Sequence, residues 1–328
     1  MTTPAIRALS LLSGGLDSQL AVCVLREQGL EVAAVTFESP FFSADNARRA
    51  ARQLDLPLQV IDFTDDIVAL VRHPPHGFGA GLNPCIDCHA RMLQRAGRLM
   101  QEQGFSFLST GEVLNERPMS QTRASLATVA RDSGFGEWIL RPLSARRLPE
   151  TRPEQLGWVD RSRLLALEGR SRRPQIELAA RYGLRDYPTP AGGCLLTEPN
   201  FCRRLLDLRS HEGLDDARAL RRLGLGRHFR LEPRVKLIVG RNREDNEALR
   251  AAAGPEDLVL SFQQTAGPTA LLSARCSEET LRLAAAVCAR YCDAPPGADV
   301  AVSATCGGHT RTLRVQALPR EQVERLLV

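Results

Sequence analysis

The stretch Ser13–Ser18 has the residue types and the spacing of an anion-binding turn. The hexapeptide Ser-Gly-Gly-Leu-Asp-Ser follows an apolar run typical of a buried strand and precedes an apolar stretch typical of a helix. Such a junction presents unpaired backbone N–H groups and the positive end of a helix dipole to an anion. Gly14 and Gly15 let the main chain approach a phosphate closely, and Ser13 and Ser18 add hydroxyl donors.

Asp17 is unusual in a site built for anions. A carboxylate is explained there if it caps the helix or holds the Mg²⁺ that accompanies nucleotide phosphates. The loop is not a Walker A motif, because no Gly-Lys-Ser/Thr follows it. A plain strand–turn–helix with two glycines is the alternative, and the complete hexapeptide favours nucleotide binding.

Three cysteines form a second candidate site. Cys85 and Cys88 follow an Asn-Pro pair that favours a helix start, so both thiols are expected on one face of its first turn. The helix dipole is expected to lower the pKa of these thiols, which makes thiolates better nucleophiles and metal ligands. Cys194 lies in a second segment rich in proline and glycine, where Gly192 and Gly193 leave space beside its sulfur.

Three chemistries are compatible with this cysteine pattern. Thiolates of Cys85, Cys88 and Cys194 predict a [4Fe–4S] cluster whose fourth iron is open. Alternatively, Cys194 carries a persulfide and one of the other two resolves it as a disulfide. A zinc site is the third possibility, with His89 as a geometrically awkward fourth ligand. Structural thiols are the interpretation for the other cysteines, namely Cys23, Cys202, Cys276, Cys288, Cys292 and Cys306.

The composition is that of a globular chain long enough for two domains. Its 328 residues carry a net charge of +5 and contain no apolar run long enough for a membrane span. Lys236 is the only lysine, so phosphate contacts fall mainly to arginine. The start of the sequence lacks an apolar signal core and predicts a cytoplasmic protein. In that compartment the nine cysteines are not a disulfide framework.

Strands and helices alternate in the first half of the chain and predict a doubly wound parallel sheet. Ligands bind such sheets at the carboxyl ends of the strands, where the Ser13–Ser18 loop falls. The stretch from Glu150 to Arg173 has a helical pattern, and a smaller α+β domain is expected near the carboxyl terminus. The predicted organisation is a nucleotide-binding and sulfur-transfer domain at 1–200, a helical linker at 201–225 and the α+β domain at 226–328.

The loop, the Asn83–Cys88 motif and a distant cysteine resemble the tRNA thiolation branch of the PP-loop ATPases, which includes 2-thiouridylases and 4-thiouridine synthases. The resemblance covers roughly the first two hundred residues and implies an adenine nucleotide α-hydrolase-like fold. It implies catalytic roles for Asp17, Cys85, Cys88 and Cys194, the three cysteines also being the cluster ligands. It implies ATP and Mg²⁺ as cofactors, with nucleotide contacts from Ser13, Gly14, Gly15, Asp17, Ser18, Phe37, Thr110 and Gly111.

The implied activity is ATP-dependent tRNA thiolation, in which a nucleobase carbonyl, that of a uridine foremost, is adenylated and then replaced by sulfur. Its partners would be tRNA and a sulfur donor, either sulfide or a persulfide carrier, with no membrane and with a homodimer as a possible assembly. A set of arginines is available for the RNA backbone: Arg117, Arg123, Arg141, Arg146, Arg147, Arg170, Arg172 and Arg173.

The carboxyl-terminal region resembles the RNA-binding domain of the NFACT family. The resemblance rests on Ile238–Asn242, on Asn246 and on the small-residue helix around Ala284–Ala286, while the family's Trp-Phe-His element is missing. A dimerisation or packing domain is the alternative for this region. Two alternatives stand for the whole chain: a PP-loop ligase or sulfur-inserting enzyme for small molecules, and an RNA-binding protein without catalysis.

Overall fold

The computed structural model describes residues 5–189, 193–273 and 276–328. Contacts divide the chain into two compact units, Met1–Thr197 and Glu198–Val328. Each unit has its own sheet and its own hydrophobic core, as expected of a domain. Among the described residues, no helix combines the length and the hydropathy that crossing a bilayer requires.

The described strands of the first unit form one parallel sheet. They are β1 (Arg7–Leu11), β2 (Glu31–Glu38), β3 (Leu58–Asp62), β4 (Phe107–Thr110) and β5 (Ile139–Leu140). Their spatial order is β3-β2-β1-β4-β5, and each neighbouring pair is parallel. The doubly wound sheet predicted from the sequence is therefore confirmed.

Helices connect these strands, as parallel pairing requires. They are α1 (Leu16–Glu27), α2 (Asp45–Gln53), α3 (Thr64–Arg72), α4 (Cys85–Glu102), α5 (Arg123–Ser133), α6 (Arg152–Gln155) and α7 (Arg173–Arg181). The central strand β1 has Ala8 and Leu9 almost fully buried, because both faces of the sheet are covered. The chain winds from β1 to β2 on one side and returns to β4 on the other, so the end of β1 is a topological switch point.

The second unit is an antiparallel sheet with helices. Its described strands are β6 (Arg227–Glu232), β7 (Val235–Val239), β8 (Asp257–Phe262), β9 (Ala270–Ser273), β10 (Val300–Cys306) and β11 (His309–Val315). They lie in the order β11-β10-β8-β9-β7-β6. Its described helices are α8 (Pro199–His211), α9 (Ala217–Arg222), α10 (Arg243–Ala252), α11 (Glu278–Ala289) and α12 (Arg320–Leu326). The small residues Ala284 and Ala285 of α11 are fully buried in the core that includes the sheet.

Helix α8, in the predicted linker, is fastened to the second sheet by charge. Asp207 on α8 accepts hydrogen bonds from Arg230 Nη2 at 2.6 Å and from Lys236 Nζ at 2.8 Å. These cations belong to β6 and β7, so α8 packs within the unit that begins at Glu198.

The helical prediction for Glu150–Arg173 is wrong for most of its length. The structure has only the four-residue α6 and a 3₁₀ turn at Arg161–Arg163 before α7. The backbone instead makes tertiary bonds: Leu165 N donates to Pro142 O at 2.9 Å and Leu167 N to Leu143 O at 2.8 Å. Partners distant in the sequence thus replace the local helical bonds.

Candidate active site

The Ser13–Ser18 loop joins β1 to α1 at the switch point of the sheet. Gly15 is the N-cap of α1, and its N–H donates to Ser13 Oγ at 3.3 Å. Ser18 Oγ donates to Gly15 O at 2.9 Å, so the two serines bracket the turn from both ends. The loop therefore holds its shape through its own side chains while the helix amino terminus faces the sheet edge.

Two glycines allow the close approaches around this loop. Gly14 has φ +82°, and a Cβ atom there would lie 2.2 Å from the carbonyl carbon of Asn46 at the start of α2. Gly111, directly after β4, is equally restricted, since a Cβ atom would lie 2.4 Å from Ser18 N. Both distances are shorter than real Cβ contacts, so packing alone requires glycine at both positions.

Asp17 lies beside a second carboxyl group, that of Glu116. Burial raises the pKa of Asp17, an effect that the nearby Arg172 opposes. Burial and the charge of Asp17 together raise the pKa of Glu116 to about 7. The two carboxyl groups interact directly, and the raised pKa of Glu116 favours a proton on that group near neutral pH.

Polar atoms around Asp17 lack the partners that buried groups normally have. Within the described chain, Asp17 Oδ1, Arg172 Nε and Gln175 Oε1 are buried without a hydrogen-bond partner. Arg172 and Gln175 both act on the Asp17 carboxyl, which places all three at one site. Since buried polar groups are almost always bonded, this surrounding suits a polar ligand.

The three candidate cysteines come together. Cys88 is buried within α4, and burial raises the pKa of its thiol well above the usual value, with Cys194 and then Cys85 raising it further. The thiol of Cys88 thus interacts electrostatically with both other thiols, although Cys194 is distant in the sequence. Burial also raises the pKa of Cys85, an effect that Arg117 opposes.

The expectation that the helix dipole lowers these thiol pKa values is wrong. Cys85 is the first residue of α4 and Cys88 lies in its first turn, as predicted, but burial outweighs the dipole. The N-cap is Pro84, not Asn83 as the sequence suggested, and no side chain caps the helix. Both thiols therefore have raised pKa values, which favours their neutral form.

Backbone bonds fasten the Cys194 segment in place. Leu82 N, just before α4, donates to Leu196 O at 2.9 Å, and Leu195 N donates to Phe41 O at 2.9 Å. Thr197 Oγ1 donates to the carbonyl oxygen of Cys194 at 2.8 Å. The chain around Cys194 is thus tied to the segment that leads into Cys85. Gly192 lies outside the described residues, and a Cβ atom on Gly193 would meet nothing within 4 Å.

Arg117 connects the cysteines with the loop. Its charge lowers the pKa of Cys85 and also those of Asp17 and Glu116. One guanidinium group is therefore near the thiol site and near the carboxyl pair at once. The sequence assigned Arg117 only to RNA contacts; it gave no signal for this central position.

The family comparisons agree with this geometry. Residues 4–146 match the model of the thiamine biosynthesis protein (ThiI) family, and residues 226–327 match that of the NFACT protein RNA binding domain. The ThiI match lies within the first unit and the NFACT match within the second. The segment between the two matches includes α6, α7, α8 and α9.

Individual relatives resemble the ThiI-family part. A tRNA-specific 2-thiouridylase MnmA of Clostridium botulinum is 29% identical over 119 residues, which are 30% of this chain and 33% of the relative. A "Probable tRNA sulfurtransferase" of Caldanaerobacter subterraneus subsp. tengcongensis is 32% identical over 146 residues, 42% of this chain and 36% of the relative. The chain thus spans about a third of the length of these relatives. A solved 4-thiouridine synthetase–RNA complex with bound ATP has a TM-score of 0.36 and 25% identity, over 42% of this chain and 37% of that one.

Two further predicted nucleotide residues of the ThiI-family domain are buried. Phe37 lies near the carboxyl end of β2, with its ring edge-on to Phe63 at 5.3 Å between centroids. Thr110 ends β4, and its hydroxyl donates to Glu112 Oε2 at 3.1 Å. Both are at the sheet edge that carries the loop, and their contact with a nucleotide stays a prediction.

A buried ion network in the ThiI-family domain was not found from the sequence. Glu112 accepts a hydrogen bond from Arg141 Nε at 2.8 Å and lies 3.3 Å from His89 Nδ1. Burial alone would raise the pKa of Glu112, but Arg141 and His89 lower it to about 2. The network ties α4, next to Cys88, to the segment after β4. It also removes Arg141 from the set of RNA contacts, since that side chain is buried and paired.

A second unpredicted network connects α1 with the segment before Cys194. Gln19 Nε2 donates to Gly14 O and to Asp186 O, both at 3.1 Å. Gln53 Nε2 donates to Gln19 Oε1 at 2.7 Å, while Gln53 Oε1 accepts from Asp186 N at 2.9 Å. The PP-loop and the approach to Cys194 therefore share hydrogen bonds.

Proposed function

We propose that the chain is an ATP-dependent tRNA sulfurtransferase that replaces a nucleobase carbonyl oxygen, that of a uridine foremost, with sulfur. The carrying observation is that hydrogen bonds hold the chain on both sides of Cys194. Gln19 joins the PP-loop to Asp186, and Leu82, just before α4, donates to Leu196. An activated base and a sulfur carrier must meet in one space, and these bonds support such a space. The names of the matched relatives and the NFACT match support tRNA as the substrate.

The first step is adenylation of the base. The carbonyl oxygen attacks the α-phosphorus of ATP, the bond to the β-phosphate breaks, pyrophosphate leaves, and the imide proton of the base passes to solvent. Backbone N–H groups at the start of α1, with Ser13 and Ser18, bind the phosphates. Arg117 and Arg172 stabilise the negative charge that develops beside Asp17.

The second step replaces AMP with sulfur. Hydrosulfide attacks the activated carbon, AMP leaves with the bonding electrons, and the thiocarbonyl base remains. In the persulfide alternative, the terminal sulfur of a Cys194 persulfide attacks the activated carbon and AMP leaves. Cys85 or Cys88 then attacks the Cys194 sulfur, the S–S bond breaks and the thiolated base is released. A dithiol reductant then reduces the resulting disulfide to two thiols.

The residues fit Mg²⁺ at Asp17. Its buried, unpartnered oxygen beside the Glu116 carboxyl gives the oxygen donors that Mg²⁺ prefers, and a cation there would replace the proton on Glu116. Mg²⁺ bound at this point would neutralise charge on the departing pyrophosphate.

The donor chemistry of Cys85, Cys88 and Cys194 fits a three-thiolate [4Fe–4S] cluster, which would supply an open iron able to carry sulfide. In residues 5–189, 193–273 and 276–328, no three His, Cys, Asp or Glu side chains are arranged to hold one metal ion, so the cluster and zinc alternatives both rest on the donor types. His89, the suggested fourth zinc ligand, is engaged with Glu112 instead.

Cys194→Ala tests the proposal, with Cys292→Ala in the other unit as the matched control. The proposal expects tRNA-dependent pyrophosphate release in both variants, and thiolated tRNA only with the control. If pyrophosphate is released equally with and without tRNA and a small-molecule product forms, the ligase alternative is supported. If no tRNA leads to ATP cleavage, the alternative of an RNA-binding protein without catalysis is supported.

Anaerobic purification with an iron count separates the two sulfur chemistries. A cluster predicts iron and a brown colour in the wild type, both lost in Cys194→Ala and kept in Cys292→Ala. A colourless, iron-free wild type that still thiolates tRNA would favour the persulfide.

A further inference from the structure

A cavity in the second unit is lined by arginines. Its volume is about 400 Å³, and its lining includes Arg227, Arg241, Arg243 and Arg250 together with Tyr291. The cations come from three places in the fold: β6, the turn after β7, and α10. A volume of this size accommodates one nucleotide.

The position of Arg227 is fixed by an aromatic stack. Its guanidinium carbon lies 4.7 Å from the centroid of the Tyr291 ring, in cation–π contact. That ring lies 6.2 Å from the ring of Phe229, which is fully buried. Arg227 is thus held at the cavity by the core beneath it, with its planar fork of N–H donors already ordered.

The opposite wall is also built from fixed parts. Arg241 Nε donates to Asp245 Oδ2 at 2.6 Å. Asn246 Oδ1 accepts from Thr269 N at 2.9 Å, and a Cβ atom on Gly240 would lie 2.0 Å from that oxygen. Gly240, Arg241 and Asn246, which carry the NFACT resemblance in the sequence, therefore shape this cavity.

Positive charge is in excess there. Glu247 is the carboxylate among the lining residues, and it pairs with Arg243 at 2.8 Å. In the described part of the chain, no carboxylate pairs with Arg227 or Arg250. An arginine group of this kind, with Arg227 half-buried and Arg243 and Arg250 exposed, matches the bidentate geometry of a phosphate.

We propose that this arginine cavity binds a nucleotide phosphate of the RNA substrate and the nucleotide attached to it. The proposal rests on the proposed function for the identity of the RNA, and it assigns the contact to Arg227, Arg243 and Arg250. The same chemistry would accept the phosphate of a free nucleotide, and competition distinguishes the two sources.

The test is binding of a fluorescent single-stranded RNA oligonucleotide and of a tRNA transcript to the full chain over a range of salt concentrations. Arg243→Glu is compared with Arg320→Glu, a closely matched control. Both arginines begin a helix, are largely exposed, and pair with a glutamate four residues on, but only Arg243 lines the cavity. Arg227→Gln is the second variant, and circular dichroism checks its folding.

The expected result is a loss of RNA affinity of about tenfold for Arg243→Glu and for Arg227→Gln, with the salt slope reduced by about one per lost contact. Arg320→Glu should stay within about twofold of the wild type. Equal RNA affinity in Arg243→Glu and Arg320→Glu would overturn the proposal. So would unchanged RNA binding at AMP concentrations that saturate the cavity, since the RNA would then be bound elsewhere.

Pyrophosphate release by the same variants at saturating tRNA keeps the two proposals separate. If the wild type releases pyrophosphate without regard to tRNA while Arg243→Glu still loses RNA binding, the proposed function fails and the cavity assignment stands. If tRNA-dependent release is normal and RNA binding is unchanged in both variants, only the cavity assignment fails.

Discussion

Two largely buried carboxyl groups, one in each unit, have opposite electrostatic surroundings. In the first unit, burial raises the pKa of Asp17, and burial together with the charge of Asp17 raises that of Glu116. In the second unit, burial would raise the pKa of Asp207, but Arg230 and Lys236 lower it below the usual value. Uncompensated burial thus remains at Asp17, the proposed nucleotide site, whereas the charges around Asp207 fix helix α8 to its sheet.

Among the variants proposed here, Asp17→Asn should have the largest effect on activity. Removing this carboxylate removes the proposed ligand for Mg²⁺ and should lower tRNA-dependent pyrophosphate release by about a thousandfold. Because it also removes a buried carboxylate whose charged form burial disfavours, the free energy of unfolding should be unchanged or higher. A stopped assay for pyrophosphate measures the change in activity. Denaturant unfolding measures the change in stability. A loss of stability together with activity would mean that Asp17 is structural.

Asp207→Asn is expected to show the opposite pattern. It leaves Arg230 and Lys236 without their shared carboxylate, and breaking such a pair costs about 4 kcal/mol of unfolding free energy. Pyrophosphate release per folded molecule should stay at the wild-type level. Urea unfolding monitored in the second unit gives the change in the free energy of unfolding. A change below about 1 kcal/mol would show that the ion pair is solvated.

Acid should weaken the first unit through Glu112. Its folded pKa of about 2 is below the unfolded value of 4.5, so its stabilisation is present above pH 4.5 and is lost as the pH falls from 4.5 towards 2. The shift corresponds to about 3 kcal/mol at neutral pH. Unfolding of Glu112→Gln, which lacks this titration, should depend less on pH in that range; parallel curves for variant and wild type would contradict the assignment.

Gln53→Ala should have a small effect on the stability of the first unit. It removes the hydrogen bonds to Gln19 and Asp186 at a partly exposed position, so the free energy of unfolding should fall by about 1 kcal/mol. Amide hydrogen exchange should rise at Asp186, whose N–H loses its acceptor. Unchanged protection there would show that the segment before Cys194 is held by other contacts.

The elements that the sequence predicted well are those with strong local signals. The buried runs of β1 and β2 are mostly apolar, and the loop after β1 combines glycines with a helix start, so their positions follow from nearest neighbours. Strands β6, β9 and β11 were not predicted. In β11 the residues from His309 to Thr312 are all exposed, so the strand shows no apolar alternation.

The sequence by itself determined the parts of this chain whose chemistry is written in adjacent residues: a phosphate loop, a helix that begins with two cysteines, and an NFACT-type domain. Only the tertiary structure decided that Cys194 comes to Cys88, that Glu116 shares the space of Asp17, and that Arg117 is near both sites. It also reversed the expected thiol pKa shift. The physical reason is that burial and long-range charge depend on which distant segments pack together, and no local pattern encodes that distance.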